Sequence, residues 1–172
     1  QGASEGEAQA AFMAKKGDVW ATVSQDADSL LFGAPRLVRN LNISGKRKKV
    51  GTLVYEEVKP QLVELHSCLK SLCISQDQLL VLALLVGTDY NPGGIKGIGP
   101  QKALKLVREH GNKFDDIFSA AKWEEHWELD WRDLIELFKT MPTSSDYALK
   151  WRAPDMDRLH ALLVDKHDFS EE

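Results

Sequence analysis

Cysteine is nearly absent: Cys68 and Cys73 are the two in 172 residues. Two thiols cannot build a disulfide framework and their spacing fits no metal site, so they are expected as buried thiols in a reducing compartment. No apolar run is long enough to span a bilayer, and no stretch is organised as a signal peptide. An excess of positive charge is missing too. The formal charge of −4 supplies no global basic field for nucleic acid. The five histidines are scattered and propose no triad. Internal repeats and low-complexity tracts are lacking, as is an initiator methionine, and the chain is expected to be a fragment that opens inside something longer. What remains is ordinary apolar and charged content, at a length that supports one domain with a good core.

The element pattern predicts an α/β chain. "SEGEAQAAFMAKK" reads as a helix from Ser4 to Lys16, capped by Ser4 and ended by Gly17. "DVWATVS" and "RLVRNLNIS" read as strands, with "QDADSLLFG" between them as a loop entering a helical turn. "GKRKKVG" is a turn or hairpin tip and "LVYEEV" a third extended piece. Pro60 is expected to open a helix through about Leu72, and Ser75 to cap a nearly all-apolar helix, "QDQLLVLALLVG", buried on most sides. A further helix runs from Pro100 to about His110, with proline suited to its first position. From Lys113 onward the chain is helix-rich, and Trp123, Trp127 and Trp131 stand four apart, as one stripe on a helix used for packing. The expected division is a partial α/β core over 1–90 and a helical part of the same core over 91–172.

Five carboxylates stand out, and each has an ordinary explanation. Glu5 and Glu7 lie in "SEGE", a capping box in which Glu7 reaches back to the cap. Asp26 and Asp28 follow a strand; in extended backbone they would share a side and repel, or they form a solvated Asx-rich turn. A calcium EF-hand is excluded, because Leu31 stands where its glycine belongs and no glutamate closes the loop. Asp89 ends an apolar helix, the unfavourable end of the dipole, or is an exposed turn residue. Taken as a set, the five fall at element ends that one sheet edge would collect. Oxygen-only donors select hard ions such as Mg²⁺ or Mn²⁺, and two such ions a few ångströms apart serve phosphodiester hydrolysis.

Around and after Asp89, "GTDYNPGGIKGIGPQKA" (87–103) carries five glycines and two prolines. It reads as a helix–hairpin–helix element rather than a plain turn. Gly97 and Gly99 permit close backbone approach, and the amides before Pro100 can face a phosphate. Lys96, Lys102 and Lys105 add charge beside Gln101, and no base-reading side chain is evident, so binding is expected to be independent of DNA sequence.

"SEGEAQAA", "KGDVWATVSQDADSLLFG" and "LVGTDYNPGGIKGIGPQKAL" together resemble the archaeal flap endonucleases, within the structure-specific 5′ nucleases that include the XPG type. "VRNL", "GKRK" and "WRAPD…HDFSEE" extend the similarity over nearly the whole chain. The resemblance implies part of a PIN-like nuclease sheet flanked by helices, with a helix-two-turn-helix element and a helical C-terminal region. It implies cleavage of 5′ flaps, or 5′→3′ exonuclease action, on replication and repair intermediates. Glu5, Glu7, Asp26, Asp28 and Asp89 are its implied metal and catalytic acids, for two Mg²⁺ that Mn²⁺ can replace. Ile95 and Ile98 are implied carbonyl donors to a K⁺ at the hairpin; Gly94 stands where some relatives offer a hydroxyl, so that ligand is missing. The implied partners are flap and duplex DNA and, for full-length relatives, a sliding clamp whose binding tail is not in this chain. The implied setting is a monomer in an archaeal-type cytoplasm, at the nucleoid and away from membranes. In the family, further metal acids and a basic helical arch lie in an N-terminal segment not found here, so the fragment is expected to be inactive alone. The alternative is a non-catalytic, sequence-independent duplex-binding module. Lys46, Arg47 and Lys48 either touch DNA phosphates or form a solvated basic hairpin.

Overall fold

The computed structural model describes residues 3–41, 45–48 and 55–170, with the side chains of 46–48 and 55–56 excepted. A stripe of small residues, Ala8, Ala11 and Ala14, buries the first helix, α1 (Gly6–Lys16). The expected capping box is absent. Glu5 is the N-cap with no side-chain cap bond, and the Ser4 hydroxyl reaches the Met141 thioether at 3.2 Å. Because the helix begins one residue later than a Ser4 cap requires, Glu5 and Glu7 are both free of capping duty. Gly17, at φ 80°, closes α1 in the left-handed region as anticipated.

The "DVWATVS" strand contracts to β1 (Thr22–Val23), which leads through α2 (Asp28–Leu31) to β2 (Arg36–Arg39). β1 and β2 are parallel, with Thr22 opposite Leu37. The Thr22 hydroxyl donates to Arg36 O at 3.1 Å and so accepts from Ser29 Oγ at 3.0 Å, which ties α2 to both strands. β3 (Lys46–Lys48) and β4 (Tyr55–Glu57) form a separate antiparallel ribbon, as a basic hairpin would. Lys49 and the start of "LVYEEV" lie outside the described residues, as do the side chains of Lys46, Arg47 and Lys48.

The segment after Pro60 departs from expectation. It is first a strand, β5 (Gln61–Glu64), antiparallel to β2 along its length, and only then a helix, α3 (Leu65–Leu72). Pairing with β2 satisfies these backbone groups before helix nucleation can, so the helix waits until Leu65. The resulting sheet has the order β1-β2-β5. Cys68 is half-buried and Cys73 exposed, contrary to the buried thiols expected: Cys73 is the left-handed C-cap of α3, beyond the helix's apolar face.

α4 (Gln76–Val86) opens with the capping box that α1 lacks. Ser75 Oγ accepts from the Gln78 amide at 3.2 Å, and Gln78 Oε1 accepts from the Ser75 amide at 2.8 Å. Leu80, Val81, Leu84 and Leu85 are buried, each fully buried side chain stabilising the fold by about 1.5–3 kcal/mol. The core continues through α5 (Pro100–His110), α6 (Phe114–Ala120) and α7 (Trp131–Thr140); α4 packs on α5 and α7, and α6 on α5. The tryptophans do not form a helical stripe. Trp123 begins a 3₁₀ turn, Trp127 lies in the loop after it, and Trp131 starts α7. They converge by ring contact instead: Phe118 stacks on Trp131 at 4.4 Å and meets Trp123 edge-on at 5.2 Å. Beyond α7 the chain runs back along α1, where Gln9 exchanges two hydrogen bonds with the Ser144 backbone, at 2.8 and 2.9 Å. It ends in the short α8 (Met156–His160) and a π-turn. Among the described residues no single helix is long and apolar enough to cross a membrane; α3 and α4 together would, but they bend by 78° at their junction.

Candidate functional site

Five carboxylates from three separate parts of the chain face one small cleft. Glu5 and Glu7 come from the start of α1, Asp26 and Asp28 from beyond the carboxyl end of β1, and Asp89 from the loop after α4. The cleft measures about 70 Å³ and is completed by Phe32, Thr88, Tyr90 and Phe138. The carboxyl end of a parallel strand is the usual crevice of such sheets. Asp26 and Asp28 do not arrive there through extended backbone. Ala27, at φ −91° and ψ 0°, turns the chain so that Asp28 is already the first residue of α2. Asp26 is held by its amide on Ser24 Oγ at 3.2 Å, and the neighbouring Gln25 carbonyl by Arg39 Nε at 3.0 Å.

Asp89 sits on a loop knotted by a residue that sequence reading passed over. Asn91 is fully buried. Its Oδ1 accepts from the Thr88 amide at 3.1 Å and the Thr88 hydroxyl at 2.7 Å, while its Nδ2 donates to Leu84 O at 2.7 Å. These bonds bind the loop to the last turn of α4 and leave Asp89 exposed at its tip. Tyr90, also missed, donates its hydroxyl to Glu5 Oε1 at 2.7 Å across the cleft. Its ring stands edge-on to Phe138 of α7 at 5.4 Å. "DYNP" reads as turn chemistry in one dimension, and neither role has a local signal.

Electrostatics mark the cleft as crowded with negative charge. Burial pushes the Asp28 carboxyl above its ordinary value, and Asp89, Asp26, Glu7 and Glu5 each push it further. Burial, then the bond to Glu5, pushes the Tyr90 phenol up to about 12, so it remains a donor at neutral pH. Among the described residues no three His, Cys, Asp or Glu side chains are drawn together as a ready ion shell. The carboxylates share a cleft without converging on one point.

A wider, shallow cavity of about 430 Å³ shares Asp26, Asp28 and Asp89 and extends over Gly87, Pro92 and Gly93 toward the hairpin. The hairpin's glycines divide into two kinds. Gly94 has φ +57°, and a Cβ there would lie 2.3 Å from the Val86 carbonyl carbon, so the loop packs backbone against backbone on the end of α4. No side chain, hydroxyl-bearing or otherwise, fits at that position. Gly99 differs: its φ of −88° is ordinary and nothing lies within 4 Å of a built Cβ, so nothing inside the chain requires glycine. It is the N-cap of α5, and Ala103 N to Gly99 O at 3.0 Å is the first helical bond, which leaves the Gln101 and Lys102 amides at the free end of the helix. Gly97 is also open to space, but its φ of +82° is a left-handed conformation that itself favours glycine. Ile95 O accepts the Ile98 amide at 2.9 Å and retains a second lone pair. Lys96, Lys102 and Lys105 are exposed; Lys102 Nζ leans on Gly97 O at 3.4 Å, and Lys105 pairs with Glu109 at 3.6 Å. Trp127 Nε1, another contributor not foreseen, donates to Gly94 O at 3.1 Å and braces the hairpin from outside.

Residues 1–89 match the XPG I-region family. Flap endonuclease 1 of Pyrococcus abyssi is 54% identical over 172 residues, covering 100% of this chain and 48% of the relative. Flap endonuclease 1 of Korarchaeum cryptofilum is 53% identical, again over the whole chain and 49% of the relative. The chain thus spans about half the length of the curated relatives it matches. Among solved structures, flap endonuclease-1 from Methanococcus jannaschii superposes with a TM-score of 0.78 at 42% identity, over 99% of this chain and 48% of that one. The catalytic core of Rad2 in complex with DNA substrate superposes at 0.70 and 22% identity, over 98% of this chain and 59% of that one, a likeness of fold alone.

Proposed function

The chain belongs to the XPG I-region family, and from that premise we propose that it forms part of a metal-dependent, structure-specific nuclease that hydrolyses phosphodiesters at 5′ flaps. The observation that carries the reading is the shared cleft: five carboxylates from three separate parts of the chain line one small opening. Apposed like charges destabilise a fold unless a cation is their partner. The donors are all anionic oxygens and fit a hard divalent ion, with Glu5, Glu7, Asp26, Asp28 and Asp89 as the side chains that would hold two Mg²⁺ or Mn²⁺. When bound, such ions supply charge neutralisation and an activated water for hydrolysis.

The rest of the work falls to the chain itself. Asn91 keeps the Asp89 loop on α4, Thr22 and Ser29 keep α2 on the sheet, and Tyr90 holds Glu5. The free amides at the start of α5, with Lys96 and Lys102, hold duplex backbone beside the cleft without reading its bases, and the Ile95 and Ile98 carbonyls would hold a K⁺ that adds positive charge there. Lys46, Arg47, Lys48 and Lys105 supply further positive charge for phosphate contact.

A second reading, a duplex-binding module without catalysis, is favoured by the lack, among the described residues, of any three acids already drawn together. One experiment separates the two. The chain is assayed on a labelled 5′ flap alone and joined to the other half of the Pyrococcus abyssi enzyme. Alone it is expected to cut almost nothing, because its carboxylates share no common point. The hybrid is expected to cut near the flap junction with Mg²⁺, and Asp28→Asn to slow it by 10²–10³-fold or more, on the order of losing one preorganised charge contact, with duplex affinity kept. A hybrid that cuts equally well with Asp28→Asn sinks the nuclease reading.

A further inference from the structure

Resting on the metal reading of the cleft, we propose that Tyr90 is a positioning residue for Glu5, one that determines how this carboxylate is presented to a divalent ion. Glu5 stands outside the regular helix as the N-cap of α1, with φ −66° and ψ 134°. Its side chain makes no capping bond there. Left to itself, a half-buried glutamate at a helix start would turn into water, away from the four other acids of the cleft. Among the described residues its side chain is held by the 2.7 Å hydrogen bond from Tyr90 Oη to Oε1, bridging 85 residues of sequence.

Tyr90 can impose that orientation because it is itself fixed at both its backbone and its ring. Its amide donates to Thr88 Oγ1 at 3.3 Å. Thr88 is locked to the buried Asn91. The ring stands edge-on to Phe138, which is buried on α7 and also packs on Phe32 at 5.2 Å. The phenol therefore acts as a rigid strut from the helical half of the core to the start of α1. With Oε1 occupied, Oε2 is the oxygen left toward the cleft, so Glu5 offers a single, directed donor. Partners of this kind, bonded to a ligand rather than to the ion, commonly change metal affinity by about 10–100-fold when removed.

The test uses the full chain and Mn²⁺ alone, with bound ion read by electron paramagnetic resonance and stability by thermal melting with and without the ion. Tyr90→Phe keeps the ring on Phe138 and removes the donor. It is expected to weaken Mn²⁺ binding about tenfold, at the lower end of that range, and to shrink the Mn²⁺-induced rise in melting temperature while the metal-free midpoint changes little. Replacing Tyr90 by 4-aminophenylalanine, which restores a donor at the same place, is expected to recover most of the affinity. A purely structural role would lower the metal-free midpoint and leave Mn²⁺ affinity intact, and that result overturns the inference. Asp28→Asn separates the two levels of the argument. If Asp28→Asn loses Mn²⁺ and Tyr90→Phe does not, the strut falls and the metal site stands. If the parent chain itself takes up no Mn²⁺, both fall.

Discussion

The acidic cleft and the glycine hairpin adjoin one another, yet they are built in opposite ways. The hairpin is contiguous: residues 94–103 contain its turns, its N-cap and its helix start, and backbone dihedrals do most of the work. The cleft is assembled from three remote pieces: Glu5 is held by Tyr90 across the chain, and the Asp89 loop by Asn91 on the end of α4. A local site fails when one backbone position fails. A composite site is strained by its own charges and depends on side chains that carry none of the chemistry.

The largest expected effect tests the local half of that contrast. Gly94→Ala puts a methyl where the Val86 carbonyl already is, in a left-handed conformation. It should cost more than about 4 kcal/mol, which for a chain this size lowers the melting temperature by roughly 8 °C or more. A near-parental melt would show that the hairpin does not depend on backbone packing. Next in size is Asn91→Ala, which strands the Thr88 amide, the Thr88 hydroxyl and Leu84 O. A loss of about 3 kcal/mol is expected from the buried groups left unpaired, readable in urea unfolding. If stability hardly changes, the loop bearing Asp89 is held by something else.

A smaller effect separates the hairpin's fold from its proposed use. Gly99→Asp supplies a better N-cap to α5, so the melting temperature should stay or rise slightly. The same carboxylate would face phosphate, and duplex affinity is expected to fall about tenfold, with Lys102→Glu flattening the salt dependence by about one contact. Unchanged affinity in Gly99→Asp would remove the hairpin from the DNA interface. The smallest effect concerns charge in the cleft. Burial and the neighbouring acids hold the folded Asp28 carboxyl above the ordinary aspartate value. The native state therefore holds extra proton in the window just above that value, and metal-free stability falls as pH rises through it. Asp28→Asn removes the penalty present at neutral pH and should raise the metal-free midpoint by about 1–2 °C, small because much of the group is still in water. The gain should vanish near pH 3, where the native carboxyl is already protonated. A gain that persists there would point to packing rather than charge.

Sequence alone determined the parts that local physical chemistry controls. The Ser75 cap, the apolar α4, the Pro100 start of α5 and the permissive hairpin glycines are all readable, because caps, fixed dihedrals and 3.6-residue periodicity act within a few residues. The candidate acids were also visible, as residue types at element ends. Tertiary structure decided the remainder. It made 61–64 a strand, since the partner β2 lies two dozen residues upstream and no window around Pro60 contains it. It withdrew the capping box from Ser4 and so freed Glu5 and Glu7, and it gathered the tryptophans by ring contact rather than along a helix. Above all, it chose Tyr90, Asn91 and Phe138 to aim the carboxylates. Hydrogen bonds and ring contacts across 7 to 85 residues exist only once the chain has closed on itself, and burial, the property that gives them their strength, is not carried by any residue alone.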